Sequence, residues 1–462
     1  MQANRTAGVY HPRTPRSSPL WHLLDRHFES FKQNYDIEYI REYGFYRPVI
    51  SDVVEDYLNC GDLQDGFARV RCPDCHHEYL LAFSCRGRWF CPSCHAKKVV
   101  QFGQHLRENL LHPVPHRQYV FSIPIILRTY FKYDRKLLSK LCRCANKSLL
   151  QYFRTVTGLK DGKLGAIMAI QTFGDYARWH PHIHVLLADG LFRDNGVFYV
   201  MSKIDIDPLA KLFRANVLKM LKEEKLIDEG LISKLLTWRY NSGFSLHNRV
   251  RLARDDSAGQ EALAQYIVRN PFSVKKITYN DATGMVIYRS KKMPSKSKGG
   301  RKNFQVFTAE EFIGAITQHI PDKSFQLIRY YGWYSNRGRG DREKAKEGSD
   351  GNHPSVADSS SSLEIIDVSD YRPKKIPSPK WRECIKKVWE VDPLLCPKCG
   401  GEMKIVSFIT ENDVIRKILE RLELWEERVP VECPPPMEIT ERHYELIDDG
   451  WSGYEEPYIT VH

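Results

Sequence analysis

The stretch His180-Pro181-His182-Ile183-His184-Val185-Leu186-Leu187 decides how the rest of the chain is read. It reads as a strand bounded by Gly174 and by Asp189-Gly190. Side chains alternate across an extended chain, so His182 and His184 share a face, about 6.5–7 Å apart along it, with Leu186 beyond them. Ile183, Val185 and Leu187 face the opposite way, into an apolar layer. Two imidazoles side by side on a rigid strand can share one divalent cation whose remaining positions take water. The alternative is a pair of surface or hydrogen-bonded core histidines, and the preceding strand bears on the choice. Residues 165–173, Gly-Ala-Ile-Met-Ala-Ile-Gln-Thr-Phe, form an apolar run in which Gln171 is the one strongly polar side chain. A hairpin of 165–173 with 181–188 sets Gln171 opposite His182 or close to it. A buried amide without a partner costs about 1–3 kcal/mol. A metal, or water bound to it, would satisfy that amide, and so would the backbone.

The chain has 462 residues with 42% apolar content, enough for a sizeable core and roughly two to four domains. Mean hydropathy is −0.47, and no apolar run approaches the ~20 residues of a membrane span, so no membrane partner is expected. Residues 1–20 are polar, with Pro and Arg and no apolar signal core, which argues against secretion. The formal charge of +12 favours a polyanionic partner, a statement about association and not about fold. Twelve cysteines without a secretion signal point to metal binding in a reducing compartment, away from disulfides.

Toward the N-terminus, residues 60–94 hold the densest motif. Cys72-Pro-Asp-Cys75 is followed, after fifteen residues, by Cys91-Pro-Ser-Cys94. That spacing suits four thiolates closing one tetrahedron around zinc, with Zn–S near ~2.3 Å. Cys60 and Cys85 are left over, and with His76, His77 and His95 they are candidates for a second zinc. Arg86, Arg88, Trp89 and Phe90, with Lys97 and Lys98 beyond, join cationic and aromatic groups in a way that suits phosphate contact and base stacking. A solvated rim on a structural module is the alternative. Residues 1–60 read as amphipathic helix, so 1–104 is expected to be an N-terminal helical and zinc-binding module that contacts DNA.

Toward the C-terminus, residues 117–123 read as a strand stopped by Pro124, and a helix from Asp134 carries Leu138, Leu141, Ala145 and Leu149 on one stripe. An Asp194-Asn195-Gly196 turn leads into a strand at 197–200. Asp207 caps a helix with Pro208 at its first position, and 244–252 is a further strand. A helix capped by Asp256 or Ser257 runs through Glu261, Leu263, Tyr266 and Ile267 until Pro271 ends it. Tyr266, beside Arg269, is a candidate nucleophile; its phenol, with a reference pKa near ~10, needs an acceptor or a cation to react. Taken alone, one helical tyrosine among 24 reads more readily as half-buried packing. Lys275, Lys276, Arg289, Lys291 and Lys292 open a cationic segment that continues to Lys302, a DNA-contacting loop or a merely solvated one. Thr308-Ala-Glu-Glu311 is a capping box. Arg329-Tyr330-Tyr331-Gly332-Trp333 is either a stacking platform for unpaired bases or the edge of a core strand. Residues 336–380 are expected to be a flexible linker, and 381–462 a small C-terminal module. There Cys396-Pro-Lys-Cys399 supplies half a tetrahedron, which Cys384, Cys433 or a second chain could complete.

Five blocks in one order carry a family resemblance: Phe83-Ser-Cys-Arg-Gly-Arg-Trp-Phe-Cys-Pro-Ser-Cys94, Val120-Phe-Ser-Ile-Pro124, Ile170-Gln-Thr-Phe-Gly174, His180-Pro-His-Ile-His184 and Tyr266-Ile-Val-Arg-Asn-Pro-Phe-Ser273. Together they resemble the rolling-circle transposases of the IS91 and common-region type, within the HUH endonucleases, from about residue 20 to 425. The resemblance implies an α+β fold: a central antiparallel sheet flanked by helices at 105–335, with the N-terminal zinc module and the C-terminal module added. It implies His182 and His184 as metal ligands, Gln171 as the third and His180 as its alternative, with Mg²⁺ or Mn²⁺ bound there and one or two structural Zn²⁺ ions elsewhere. Tyr266 would attack a DNA phosphodiester to leave a 5′-phosphotyrosine. Many members carry two tyrosines four residues apart; here the earlier position is Ala262, so the chain resembles a single-tyrosine variant. Implied partners are single-stranded DNA, element-end hairpins, target DNA and a second copy of the chain, in a prokaryotic cytoplasm on nucleoid DNA. A plasmid or phage replication initiator with the same chemistry, and a non-catalytic zinc-dependent DNA-binding regulator, are the competing readings.

Overall fold

The computed structural model describes residues 15–427 except 88, 202, 238–242, 290–302, 348–362 and 375, and excepting the side chains of 15, 345–347 and 389. An antiparallel sheet lies at its centre, with the hairpin of Gly165–Phe173 and Trp179–Ala188 in the middle. His116–Ser122 flanks the second of these strands and Ile328–Gly332 the first. Ser245–His247 and Arg251–Leu252 both pair with the outer side of His116–Ser122. Every residue of the two middle strands is buried. Helices cover both faces, which is why these strands read as apolar runs and lack the alternation of a half-solvated sheet.

On one face Met168, Ile170, Ile183, Val185 and Leu187 pack into a core shared with helices Lys136–Thr157 and Ile206–Glu223. On the other, Ile167, Ala169 and Leu186 share a core with Leu106 of helix Pro92–Asn109 and with Leu263, Ala264 and Ile267 of helix Ser257–Ile267. The histidine pair lies on this second face. Asp189, fully buried at the end of the histidine strand, accepts two hydrogen bonds from Arg117 (2.9 and 3.0 Å) and one from Arg251 (2.6 Å). That carboxylate fastens the sheet's outer strands to its centre. The architecture is α+β, antiparallel sheets flanked by helices, as the sequence indicates.

Both ends of the chain are built with partners remote in sequence. Helices Pro19–Asn34 and Val49–Leu58 share a core with helix Ala309–Thr317 and with the strands Ile277–Asn280, Met285–Arg289 and Phe304–Thr308. Arg47 donates to the carbonyl of Ile320 (2.6 Å) and to Asp322 (2.8 Å). Phe67–Arg71 is the middle strand of a second sheet, between Glu78–Ala82 and Lys404–Ile409. The segments expected as separate N-terminal and C-terminal modules thus meet in one sheet. Within 336–380, read as a linker, Asn336–Glu347 is helical and Ile365–Asp367 pairs with Val197–Val200.

Local signals set several helix ends. Thr308 and Glu311 form the reciprocal capping box, and Asp256 accepts from the Gly259 N–H to start Ser257–Ile267. That helix stops at Ile267, four residues before Pro271. Asp205, not Asp207, caps Ile206–Glu223 by accepting from the Asp207 N–H. Among the described residues no helix is long and apolar enough to cross a membrane.

Candidate active site

His182 and His184 aim their Nε2 atoms at each other, 3.1 Å apart, and both are buried. The backbone orients the first ring: His182 Nδ1–H donates to the His180 carbonyl at 2.7 Å, which leaves the Nε2 lone pair facing its neighbour. His184 Nδ1 lies 3.1 Å from the side-chain amide nitrogen of Gln118. Burial pushes the His182 pKa down to about 4 and that of His184 well below the ordinary range, so both rings are neutral near pH 7.

The surroundings fit a divalent ion. Gln171 stands directly across from His182. Its Nε2–H donates to the Ile267 carbonyl at 2.7 Å, while its buried Oε1 has no hydrogen-bond partner. On the opposite neighbouring strand Ser122 also faces His182, and its buried hydroxyl is likewise unmatched. Two orphaned oxygens beside two imidazole nitrogens make a mixed donor set, apt for a hard ion that keeps some of its water. His180 shares the face, with its ring 5.0 Å from that of His182.

The Tyr266 ring packs edge-to-face on His184 with centroids 5.7 Å apart. The Arg269 guanidinium lies 4.7 Å from the centre of the tyrosine ring and 5.5 Å from that of Phe173. The helix carrying Tyr266 is braced from outside by helix Pro92–Asn109. Gly103 permits the close approach, since a Cβ there would come within 2.9 Å of Gln265, and Arg107 pairs with Glu261. His95 adds a link just beyond the helix: Nε2–H donates to the Val268 carbonyl at 2.7 Å while Nδ1 accepts from the Trp89 N–H at 3.1 Å. Sequence reasoning missed both Gln118 and this use of His95.

The two N-terminal knuckles do not share one ion. The sulfurs of Cys60, Cys85, Cys91 and Cys94 lie within 4.8 Å of one another, and those of Cys72, Cys75, Cys396 and Cys399 form a second such group. In the first group neighbouring sulfurs are 3.6–3.8 Å apart, matching the ~3.8 Å edge of a tetrahedron with Zn–S near ~2.3 Å. The set Cys72, Cys75, Cys91 and Cys94 is therefore corrected. The strands Phe67–Arg71 and Glu78–Ala82 carry the first knuckle away from the start of helix Pro92–Asn109, where the second sits. His76, His77 and His95 belong to neither group. Cys384 donates to the Pro379 carbonyl, outside both groups, and Cys433 lies outside the described residues.

The candidate DNA-contacting residues separate by environment. Arg86 and Lys275 are exposed and Lys276 is half-buried. Trp89 packs against His95 with the rings tilted by 42°, centroids 4.8 Å apart. Arg329 and Tyr330 lie on the edge strand Ile328–Gly332, the arginine donating to Ser139 Oγ at 2.7 Å and the tyrosine packed against the core, so the strand-edge alternative describes them. Arg88, Lys291 and Lys292 lie outside the described residues.

Two families match this chain. Residues 24–123 match the one described as "Transposase zinc-binding domain", and residues 165–342 the one described as "Putative transposase". The first range contains Cys60, Cys85, Cys91 and Cys94; the second contains His182, His184 and Tyr266. The transposase for insertion sequence element IS801 of Pseudomonas savastanoi pv. phaseolicola is 25% identical over 395 residues, covering 82% of this chain and 89% of that protein. "Putative transposase y4qJ" of Sinorhizobium fredii (strain NBRC 101917 / NGR234) is 25% identical over 287 residues, 58% of this chain and 70% of that protein. No solved structure matches. A zinc-binding domain followed by a transposase domain, with similarity along most of its length, identifies the chain as a member of the IS91-type transposase family.

Proposed function

We propose that this transposase nicks and rejoins single-stranded DNA through a covalent tyrosine intermediate, in rolling-circle-type transposition. The observation that carries the reading is the seat of Tyr266 against His184, 5.7 Å ring to ring, on the sheet face where two imidazoles and the orphaned Gln171 oxygen converge. The phenol oxygen attacks the scissile phosphorus in line. An O–P bond to tyrosine forms, the bond from phosphorus to the 3′ oxygen breaks, the phenol loses its proton and the departing oxygen gains one. The products are a 5′-phosphotyrosine and a free 3′-hydroxyl. The new ester retains the energy of the old one, so an incoming 3′-hydroxyl reverses the step without ATP. Mg²⁺ or Mn²⁺ held by His182, His184 and Gln171 would stabilise the charge that builds on the phosphate oxygens. Arg269, close over the Tyr266 ring, supplies a fixed positive charge for the phenolate and the phosphate. The site lies between the sheet and the tyrosine helix, so the strand must be unpaired or extruded to bend its phosphate into it. The substrates are then single-stranded element ends, their hairpins and target DNA. With Ala262 one turn before Tyr266, a second phenol comes from a second copy of the chain or from a second round.

A labelled single-stranded oligonucleotide of element-end sequence, incubated with Mg²⁺ or Mn²⁺ and run on a denaturing gel, tests this. Wild type gives a covalent protein–DNA band, while Tyr266→Phe loses the band and keeps DNA binding. A band from the Phe variant would move the nucleophile elsewhere. A non-catalytic DNA-binding regulator predicts no band from either protein.

A further inference from the structure

We propose that Cys72, Cys75, Cys396 and Cys399 bind one zinc ion, and that this ion is a clip fastening the C-terminal part of the chain to the N-terminal sheet. Neither family match reaches Cys396 or Cys399, and the set joins residues 321 and 327 positions apart.

The first argument is the shape of the two turns. In Cys72-Pro-Asp-Cys75-His-His77, the Cys72 N–H donates to the His77 carbonyl (2.8 Å) and the His76 N–H to the Cys72 carbonyl (3.1 Å). In Cys396-Pro-Lys-Cys399-Gly-Gly401, the Cys396 N–H donates to the Gly401 carbonyl and the Gly400 N–H to the Cys396 carbonyl, both at 2.9 Å. The fifth residue of each turn is left-handed, His76 at φ 59° and Gly400 at φ 73°. A left-handed non-glycine residue is strained, and at His76 that strain completes the same knuckle that glycine makes easily at the other end. The second argument is how the knuckles meet. They face each other with Cys72 Sγ 3.5 Å from Cys399 Sγ and Cys75 Sγ 3.5 Å from Cys396 Sγ. Each knuckle supplies two sulfurs and all four lie mutually within 4.8 Å, as one tetrahedral ion requires. The third is the size of what they hold. The sheet rests on two small clusters, one beside the quartet around Val70 and Met403 and one of Phe67, Ile415 and Leu419, and a three-stranded sheet on cores of that size gains from a staple.

The clip reaches beyond its own sheet. Between it and the main body, Gln101 donates to the Pro379 carbonyl (3.2 Å) and Lys387 donates to Gln104 (2.9 Å). Both Gln101 and Gln104 lie on helix Pro92–Asn109, whose Gly103 and Arg107 brace the tyrosine helix.

Metal content measured by plasma mass spectrometry on the intact protein tests the proposal without any DNA. Wild type is expected to carry two zinc ions per chain. Cys396→Ser/Cys399→Ser is expected to carry one, and limited proteolysis should then cut within 381–427 at sites that wild type protects, with cleavage elsewhere unchanged. Cys85→Ser should also carry one zinc but keep its tail protected. One zinc in wild type, iron in place of the second zinc, or two zincs in the Cys396→Ser/Cys399→Ser variant would each overturn it. The measurement on wild type stands even where a variant fails to fold.

Discussion

The amide of Gln118, 3.1 Å from His184 Nδ1, decides which nitrogen of that ring carries the hydrogen. With the amide nitrogen toward the ring, the His184 hydrogen sits on Nε2 and points at His182. Turned over, the amide oxygen accepts from Nδ1–H and frees Nε2 for an ion. Gln118→Ala should therefore weaken Mn²⁺ binding roughly 10–100-fold, read by electron paramagnetic resonance titration, while Gln118→Glu, an acceptor, keeps it. Unchanged affinity in the Ala variant would mean that the strand alone orients the ring. Gln171 was visible in the sequence because it is a lone amide in an apolar run. Gln118 was not, because its strand also carries His116, Arg117 and Ser122. Once the register is known, alternation puts Gln118, Val120 and Ser122 on the histidine face, and the argument that found Gln171 finds Gln118 too.

Helix Pro92–Asn109 and helix Ser257–Ile267 act as a pair, since the first holds the second over the histidine strand. Gly103→Val at their contact should cost about 1–3 kcal/mol and slow formation of the covalent adduct, with zinc content unchanged. An unaltered rate would uncouple the brace from Tyr266. Helix Ser257–Ile267 could be read from its cap and from Pro271, whereas helix Pro92–Asn109, which no side chain caps, was not. Their packing could not, because Gly103, Arg107 and Glu261 look like ordinary positions on a solvated helix until the partner is known. The same limit applies to Arg329 and Tyr330, whose aromatic and cationic character is compatible with stacking on bases and with a strand edge. Only pairing with Gly165–Phe173 separates the two.

Over the molecule as a whole, buried polar groups set the response to acid. Desolvation pushes the pKa of His116 down to about 4 and that of His319 to about 3, from 6.5. Below pH 6.5 the unfolded rings take up protons that the buried ones refuse. Stability is thus complete above that pH and falls on acidification, by up to about 1.4 kcal/mol per pH unit for each ring. Thermal melts between pH 7 and 4.5 should show the slope, and a flat profile would contradict it. Asp189→Ala, which strands Arg117 beside a buried gap, should cost about 3 kcal/mol in denaturant titration. The central sheet was accessible from the sequence because its signals are local. The cysteine quartets were not, because knuckle spacing shows which cysteines come in twos and says nothing about which twos meet across hundreds of residues. That separation also has a consequence in time. Cys72 and Cys75 leave the ribosome 321 to 327 residues ahead of their partners, about 15–65 s at 5–20 residues per second. For that interval the nascent protein holds half a coordination shell open to the cell's thiols and metals. Tyr266 is already synthesised by then, while the contacts that the tail makes with helix Pro92–Asn109 are still to come.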